Sequence, residues 1–231
     1  MSEDRIRLVR SGIDLDWARG RREGARILPP RGDIRRALAD ECRADKERLF
    51  ILAVGALTSE KGHRDLIDAM PMAMERFPGA HLLLVGAGKL AAGLAPRAKK
   101  RGLTGNVSFL GERADIPALM SAADLFVMPS RREGLGTALM DAMAAGCAVV
   151  ATRTGGMPEL VEDGKTGRLV PPGDPKALAR AMAEVLGDPR QRENFGRMAS
   201  AHASRHFGRE TMVDGNLAVY RELYTGCGSK W

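Results

Sequence analysis

The sequence predicts an α/β fold: a Rossmann-like, doubly wound parallel sheet of about six strands with helices on both faces. Three observations carry this. Short continuous apolar runs recur, such as Leu49–Val54 and His81–Val85, as strands buried on both faces require. Segments of helical length and period separate them. Most runs end in glycine-bearing loops, such as those at Gly55, Gly86 and Gly111, the punctuation of successive βαβ units.

The elements follow in order. Arg5 to Arg10 alternates like a short strand, and Ser11 to Asp14 turns. The polar stretch from Arg19 ends at Pro29-Pro30, so residues 1–31 read as a linker or arm. Residues 32–206 read as the sheet domain and 207–231 as a closing helix and tail. Asp33 is placed to cap a helix reaching about Ala44. Leu49–Val54 is the first strand. Gly62 to Phe77 reads as a helix that Pro71 should kink or break. His81–Val85 is the second strand, and Lys89 to Arg101 a helix despite Gly93 and Pro96. Val107–Leu110, Asp124–Met128 and Ala148–Ala151 are the next strands. Ile116–Ala122 is a short helix, and the segment holding Asp141 is another. Gly167–Val170 supplies a sixth strand. Helices at about 175–187, 189–206 and 209–224 finish the chain.

Composition narrows the function classes. With 231 residues, 44% of them hydrophobic, the chain can bury a substantial core. Its net charge of +7 is spread among acids, and aromatics are only 4%, too few for stacking platforms, so nucleic acid is not an expected partner. A diffuse basic balance suits anionic small ligands or an anionic membrane surface. Cys42, Cys147 and Cys227 have no metal-ligand spacing and are odd in number, which points to a reducing compartment. The histidines are scattered: His63 is expected to be exposed at a helix start, and His202 and His206 share a helix face without a third ligand. No apolar run reaches about 18 residues, and Met1–Asp4 lacks a signal peptide's apolar core. The expected location is the cytoplasm, with peripheral contact at the inner membrane face.

Glu133-Gly-Leu-Gly-Thr-Ala-Leu-Met-Asp141 is the most informative stretch. It runs from a strand end through a glycine-broken loop into an apolar helix. Such a helix start offers unpartnered N–H groups and the positive end of a dipole to an anion. With a helix start near Gly136, Asp141 lies roughly 7 Å along it. Two carboxylates flanking an anion site suit a ligand that also carries hydroxyls.

This stretch resembles the signature of retaining glycosyltransferases of the family 4 type, which have the GT-B fold. Other segments match in the same order. They are Val54-Gly-Ala-Leu57 with Glu60-Lys-Gly62, Leu84–Gly88, Val107–Gly111, Ala123–Ser130, Ala145–Thr152, Gly155–Val161 and Asp163–Asp174. The match spans residues 5 to 225. It implies that the chain is the donor-binding half of such an enzyme and that a nucleotide-sugar is its donor. Glu133 would then contact the donor sugar and face its anomeric carbon. Lys61 would lie on the diphosphate, and Gly134, Leu135, Gly136 and Thr137 would hold the distal phosphate and sugar. Asp141 would accept from the ribose hydroxyls, and Gly111, Glu112 and Arg113 would line the base. No metal or other cofactor is implied, because cations and N–H groups serve the phosphates.

Departures from the family pattern matter as much. The second acid is Asp141 rather than Glu, the usual diphosphate Arg is Ala56, and a common Asn is Ser11. Arg113 is a candidate to replace the lost cation. The family's N-terminal acceptor-binding domain, with its histidine, has no counterpart here, so this half alone is expected to transfer little. Two rival readings remain. One is a non-catalytic nucleotide-binding module that needs a separate N-terminal partner. The other is a nicotinamide-dependent oxidoreductase, suggested by Gly86-Ala-Gly88 with Ala91 in the third glycine's place.

Overall fold

In the computed structural model, residues 6–22, 25–45 and 47–227 are described. The chain enters through α1 (Leu15–Ala18) and a small antiparallel ribbon of β1 (Arg21–Arg22) and β2 (Ala25–Arg26). Next come α2 (Arg31–Glu41), β3 (Phe50–Val54), α3 (His63–Met74), β4 (His81–Val85), α4 (Ala91–Lys100) and β5 (Val107–Gly111). The second half holds α5 (Ile116–Ala122), β6 (Leu125–Met128), α6 (Thr137–Ala144), β7 (Val149–Thr152), α7 (Met157–Leu160) and β8 (Arg168–Val170). Three helices close it: α8 (Pro175–Gly187), α9 (Pro189–His206) and α10 (Arg209–Cys227).

Strands β3 to β8 form one sheet in the order β5-β4-β3-β6-β7-β8, parallel throughout. Alternation along each strand feeds two cores. Phe50, Leu52, Phe126 and Met128 face α2, α5, α6 and α9. Ile51, Ala53, Leu125 and Val127 face α3, α4 and α8. Both faces are covered, which is why these strands are continuously apolar. Phe50, Ile51, Leu52 and Phe126 are fully buried, each worth roughly 1.5–3 kcal/mol of burial.

Several local expectations need correction. Ile6 to Arg10 forms no strand (Arg5 and Met1–Asp4 lie outside the described residues). This segment lies along α10 instead: Arg7 pairs with Glu222, and Val9 packs against Gly215. Ile13 accepts the Arg209 N–H and donates to the Phe207 carbonyl. Asp33 does not cap α2. The helix begins two residues earlier with Pro30 at the cap position, and Asp33 pairs with Arg36 in its first turn, where an acid suits the dipole. Pro71 does not break α3, because Leu66, Ile67, Met70 and Ala73 bury one face of that helix and packing outweighs the missing hydrogen bond. His63 is not exposed. It is 2% accessible, and burial depresses its pKa. Among the described residues neither ring nitrogen has a hydrogen-bond partner, although the backbone of Ala56 and Gly55 lies beside the ring.

Candidate functional site

The strand order sets the location of the site. From β3 the chain moves outward through β4 to β5, then crosses back to β6 and moves out the other way through β7 to β8. The order therefore reverses between β3 and β6, and sheets of this kind bind ligands at the carboxyl ends of the strands flanking such a reversal. The β3–α3 loop carries Lys61, and the β6–α6 loop carries Glu133.

Backbone contact brings these loops together. A Cβ on Gly62 would lie 1.9 Å from the Pro129 carbonyl oxygen, so a larger residue would force the loops apart. The Arg131 and Arg132 N–H groups donate to the Glu60 carbonyl at 2.7 and 3.2 Å. On the opposite flank the β7–α7 loop supports the β6–α6 loop. Thr154 Oγ1 donates to the Arg131 carbonyl at 3.2 Å, and the Gly156 N–H to the Gly134 carbonyl at 2.8 Å.

Within this frame Lys61 Nζ donates to Glu133 Oε2 at 2.6 Å, and Ser130 Oγ donates to the same oxygen at 3.0 Å. The Gly134 N–H reaches Oε1 at 3.2 Å. The Glu133 side chain is 9% exposed and is compensated from three directions. Leu135 and Gly136 complete the loop, and α6 starts at Thr137 with no side chain capping it. The Leu139 and Met140 N–H groups donate to the Gly136 carbonyl, so among the described residues the Thr137 and Ala138 N–H groups remain for a ligand, at the positive end of the dipole.

Asp141 sits on the second turn of α6 in a different setting. Among the described residues its carboxylate has no hydrogen-bond or ion-pair partner. Burial raises its pKa to about 6, with a further push from the negative charge of Asp14. Neutralising hydroxyl donors would fit this carboxylate.

Gly111 ends β5, the outermost strand, two positions from β3, and Glu112 and Arg113 follow it. At about 4.8 Å per strand they lie on the order of 10 Å along the sheet from the Lys61 loop. Arg113 is committed elsewhere: its Nε and Nη2 fork onto Asp115 at 2.8 and 2.7 Å, and Nη1 reaches Glu41 at 2.6 Å. Both carboxylates raise its pKa, Asp115 most, and they hold the guanidinium between the end of α2 and the start of α5.

Sequence reasoning missed Ser130, His63 and the Asp65–Arg131 pair. A signal existed for Asp65: an acid beside Leu66 and Ile67 on a helix whose apolar face is buried. Among the described residues no group of three His, Cys, Asp or Glu could hold a metal ion, and no helix is long and apolar enough to cross a membrane.

Comparison with known proteins adds to this geometry. Residues 35–202 match the family model described as glycosyl transferases group 1. The chain is 31% identical over 208 residues to the lipopolysaccharide core biosynthesis glycosyltransferase LpsE of Rhizobium meliloti (strain 1021), covering 89% of this chain and 59% of that protein. Among solved structures it is similar to Anabaena Alr3699/HepE in complex with UDP-glucose, with a TM-score of 0.79 and 28% identity, covering 95% of this chain and 57% of that one. A C-terminal domain of a glycosyl transferase group 1 family protein, LpcC of Francisella tularensis, has the same fold, with a TM-score of 0.73 and 24% identity, covering 85% of this chain and 99% of that one. The chain spans about half the length of the curated relatives it matches. Its Rossmann-like sheet agrees with the expected half of a GT-B fold, and the chain belongs to the group 1 glycosyltransferases, matching their C-terminal domain.

Proposed function

We propose that this chain is the donor-binding half of a retaining, family 4 type glycosyltransferase that moves a sugar from a nucleoside diphosphate to an acceptor. The observation that carries the reading is the Lys61–Glu133 pair at 2.6 Å, set at the reversal in strand order beside an uncapped helix start. The crystallisation of the HepE neighbour with UDP-glucose supports a nucleotide-sugar donor.

The geometry divides the labour. The donor diphosphate would attract Lys61 away from Glu133 and rest against the N–H groups opening α6. As the bond from the anomeric carbon to the leaving oxygen breaks, negative charge collects on the diphosphate, and Lys61 and the helix dipole stabilise it. The freed Glu133 carboxylate would face the positive charge developing at the anomeric carbon and accept from sugar hydroxyls. Attack from the leaving-group side would retain the configuration, with the departing phosphate accepting the acceptor's proton. In this reading no metal is required. Asp141 would take the ribose hydroxyls, and the loop of Gly111, Glu112 and Arg113 would line the base.

The acceptor would be held by an N-terminal domain. Supporting this, Val213, Leu217, Tyr220 and Tyr224 make an apolar stripe along α10, with 66% of Tyr220 and 84% of Tyr224 exposed, and Ile6 and Leu8 are exposed as well. A stripe of this spacing on one helix face suits a protein neighbour. The same stripe favours the second reading, a nucleotide-binding module that works only with a separate partner chain. A cytoplasmic setting with an anionic membrane surface nearby fits the +7 charge.

Calorimetry with UDP, GDP, ADP and NAD tests the donor reading. One nucleoside diphosphate should bind, and Lys61→Ala should weaken it about tenfold or more, the scale of a lost charge-assisted bond. No binding by any of them, or unchanged affinity in both Lys61→Ala and Glu133→Gln, would overturn the site. Preferred binding of NAD would favour an oxidoreductase. A transfer assay with and without an N-terminal domain then separates the enzyme half from the binding module.

A further inference from the structure

We infer that Asp65 and Arg131 form a positioning clamp that keeps the Lys61 and Glu133 loops in register. The consequence for ligand binding rests on the donor reading above, but the geometry does not. Asp65 projects from the first turn of α3 and is only 4% exposed. A carboxylate so buried needs a partner. Arg131 supplies a planar fork, with Nε to Oδ2 at 2.7 Å and Nη2 to Oδ1 at 2.7 Å. Arg131 stands two residues before Glu133, and Asp65 four residues after Lys61. The fork therefore bolts one loop to the helix that anchors the other.

Its neighbours reinforce the same junction. The Glu60 carbonyl, one residue before Lys61, accepts from both the Arg131 and Arg132 N–H groups. These bonds matter because the other tie between the loops is expendable. A bound diphosphate would compete for Lys61 and dissolve the Lys61–Glu133 pair. The Asp65–Arg131 fork lies outside that exchange and would hold both loops in place while it occurs. Arg is required rather than Lys, since only a guanidinium fixes orientation through two parallel bonds. Asp68 is a built-in control on the same helix. It binds Arg97 and Arg101 at 3.0 and 2.8 Å on α4 and its end, and among the described residues it bonds to neither loop, although Arg97 also feels the charges of Asp65 and Arg131.

The test compares Asp65→Asn, Arg131→Lys and Asp68→Asn with the wild-type chain by amide hydrogen exchange and by UDP, GDP and ADP calorimetry. Without ligand, Asp65→Asn and Arg131→Lys should speed exchange of the Arg131 and Arg132 amides about tenfold, while Asp68→Asn leaves them unchanged. Affinity for the nucleotide that binds should fall about fivefold in Asp65→Asn, and by less than about twofold once Lys61 is already Ala, because coupled residues do not add. Unchanged exchange in both clamp variants overturns the clamp. So does an equal affinity loss in the wild-type and Lys61→Ala backgrounds, which marks a structural ion pair. If no nucleotide binds the wild-type chain, the donor reading falls and exchange alone decides the clamp. If Asp65→Asn does not fold, Arg131→Lys, which keeps the charge and loses only the fork, decides it.

Discussion

Glu133 and Asp141 belong to one short motif, yet they sit in opposite surroundings. Glu133 lies in a loop pressed between two others, and a lysine, a hydroxyl and a backbone N–H neutralise it. Asp141 lies in the second turn of α6, half-buried, repelled by Asp14, and its carboxylate has no partner among the described residues. The first carboxylate is satisfied before any ligand arrives. The second pays for its position and is relieved only by a ligand that donates to it. Binding at such a motif would therefore break a contact at one end and complete one at the other.

The largest effect should come from separating the loops that satisfy Glu133. A Cβ on Gly155 would lie 1.7 Å from the Glu133 carbonyl oxygen, at a backbone φ of +53°. Gly155→Ala should cost about 3 kcal/mol or more in urea unfolding, combining a clash with backbone and left-handed strain. If it costs under about 1 kcal/mol, the loop is not held as tightly as the contrast requires.

A smaller loss should follow when the partner of Glu133 is removed. Lys61→Ala leaves a carboxylate of 9% exposure with only Ser130 and the Gly134 N–H. Since Lys61 is itself 29% exposed, solvent tempers the loss to about 1 kcal/mol. Adding Glu133→Gln to Lys61→Ala should recover much of that loss, because the uncompensated charge goes with it.

Asp141 should give a change no larger than that, with the opposite sign. Its folded-state pKa of about 6 lies above the ordinary 3.8, so the folded chain holds the proton more tightly than the unfolded one. The stabilisation from that proton is complete below about pH 4 and lost as pH rises through about 6. Asp141→Asn should accordingly raise stability by about 1 kcal/mol at pH 7.5, after discounting for partial exposure. The advantage should vanish in melts at pH 4. A destabilised Asp141→Asn at pH 7.5 would mean that the carboxylate has a partner after all.

Much of the fold was legible because its signals are local. The apolar runs at 50–54, 81–85 and 125–128 identify strands buried on two faces without reference to any neighbour. The helix start beside Gly136 could be read from glycine followed by apolar residues, and Thr137 does open α6. The misreadings share a cause. Asp33 resembles a cap only until Pro30 takes that position, and Pro71 resembles a breaker only until Leu66, Ile67, Met70 and Ala73 bury one face of α3. His63 looks exposed at a helix start until the β3–α3 loop folds over it. For Pro71, packing overrode a local preference worth about 3 kcal/mol.

Residue order thus specifies the strands, the glycine turns, the spacing of the two acids and the family. It does not specify the strand order, and with it the reversal between β3 and β6 that brings Lys61 to Glu133 across 72 residues of chain. Nor does it reveal that Arg113 is spent on Asp115 and Glu41, that Arg131 grips Asp65, or that the Asp141 carboxylate has no partner among the described residues. Periodicity is a property of neighbours along the chain. Pairing, burial and pKa are properties of neighbours in space, set when two cores close on the faces of one sheet.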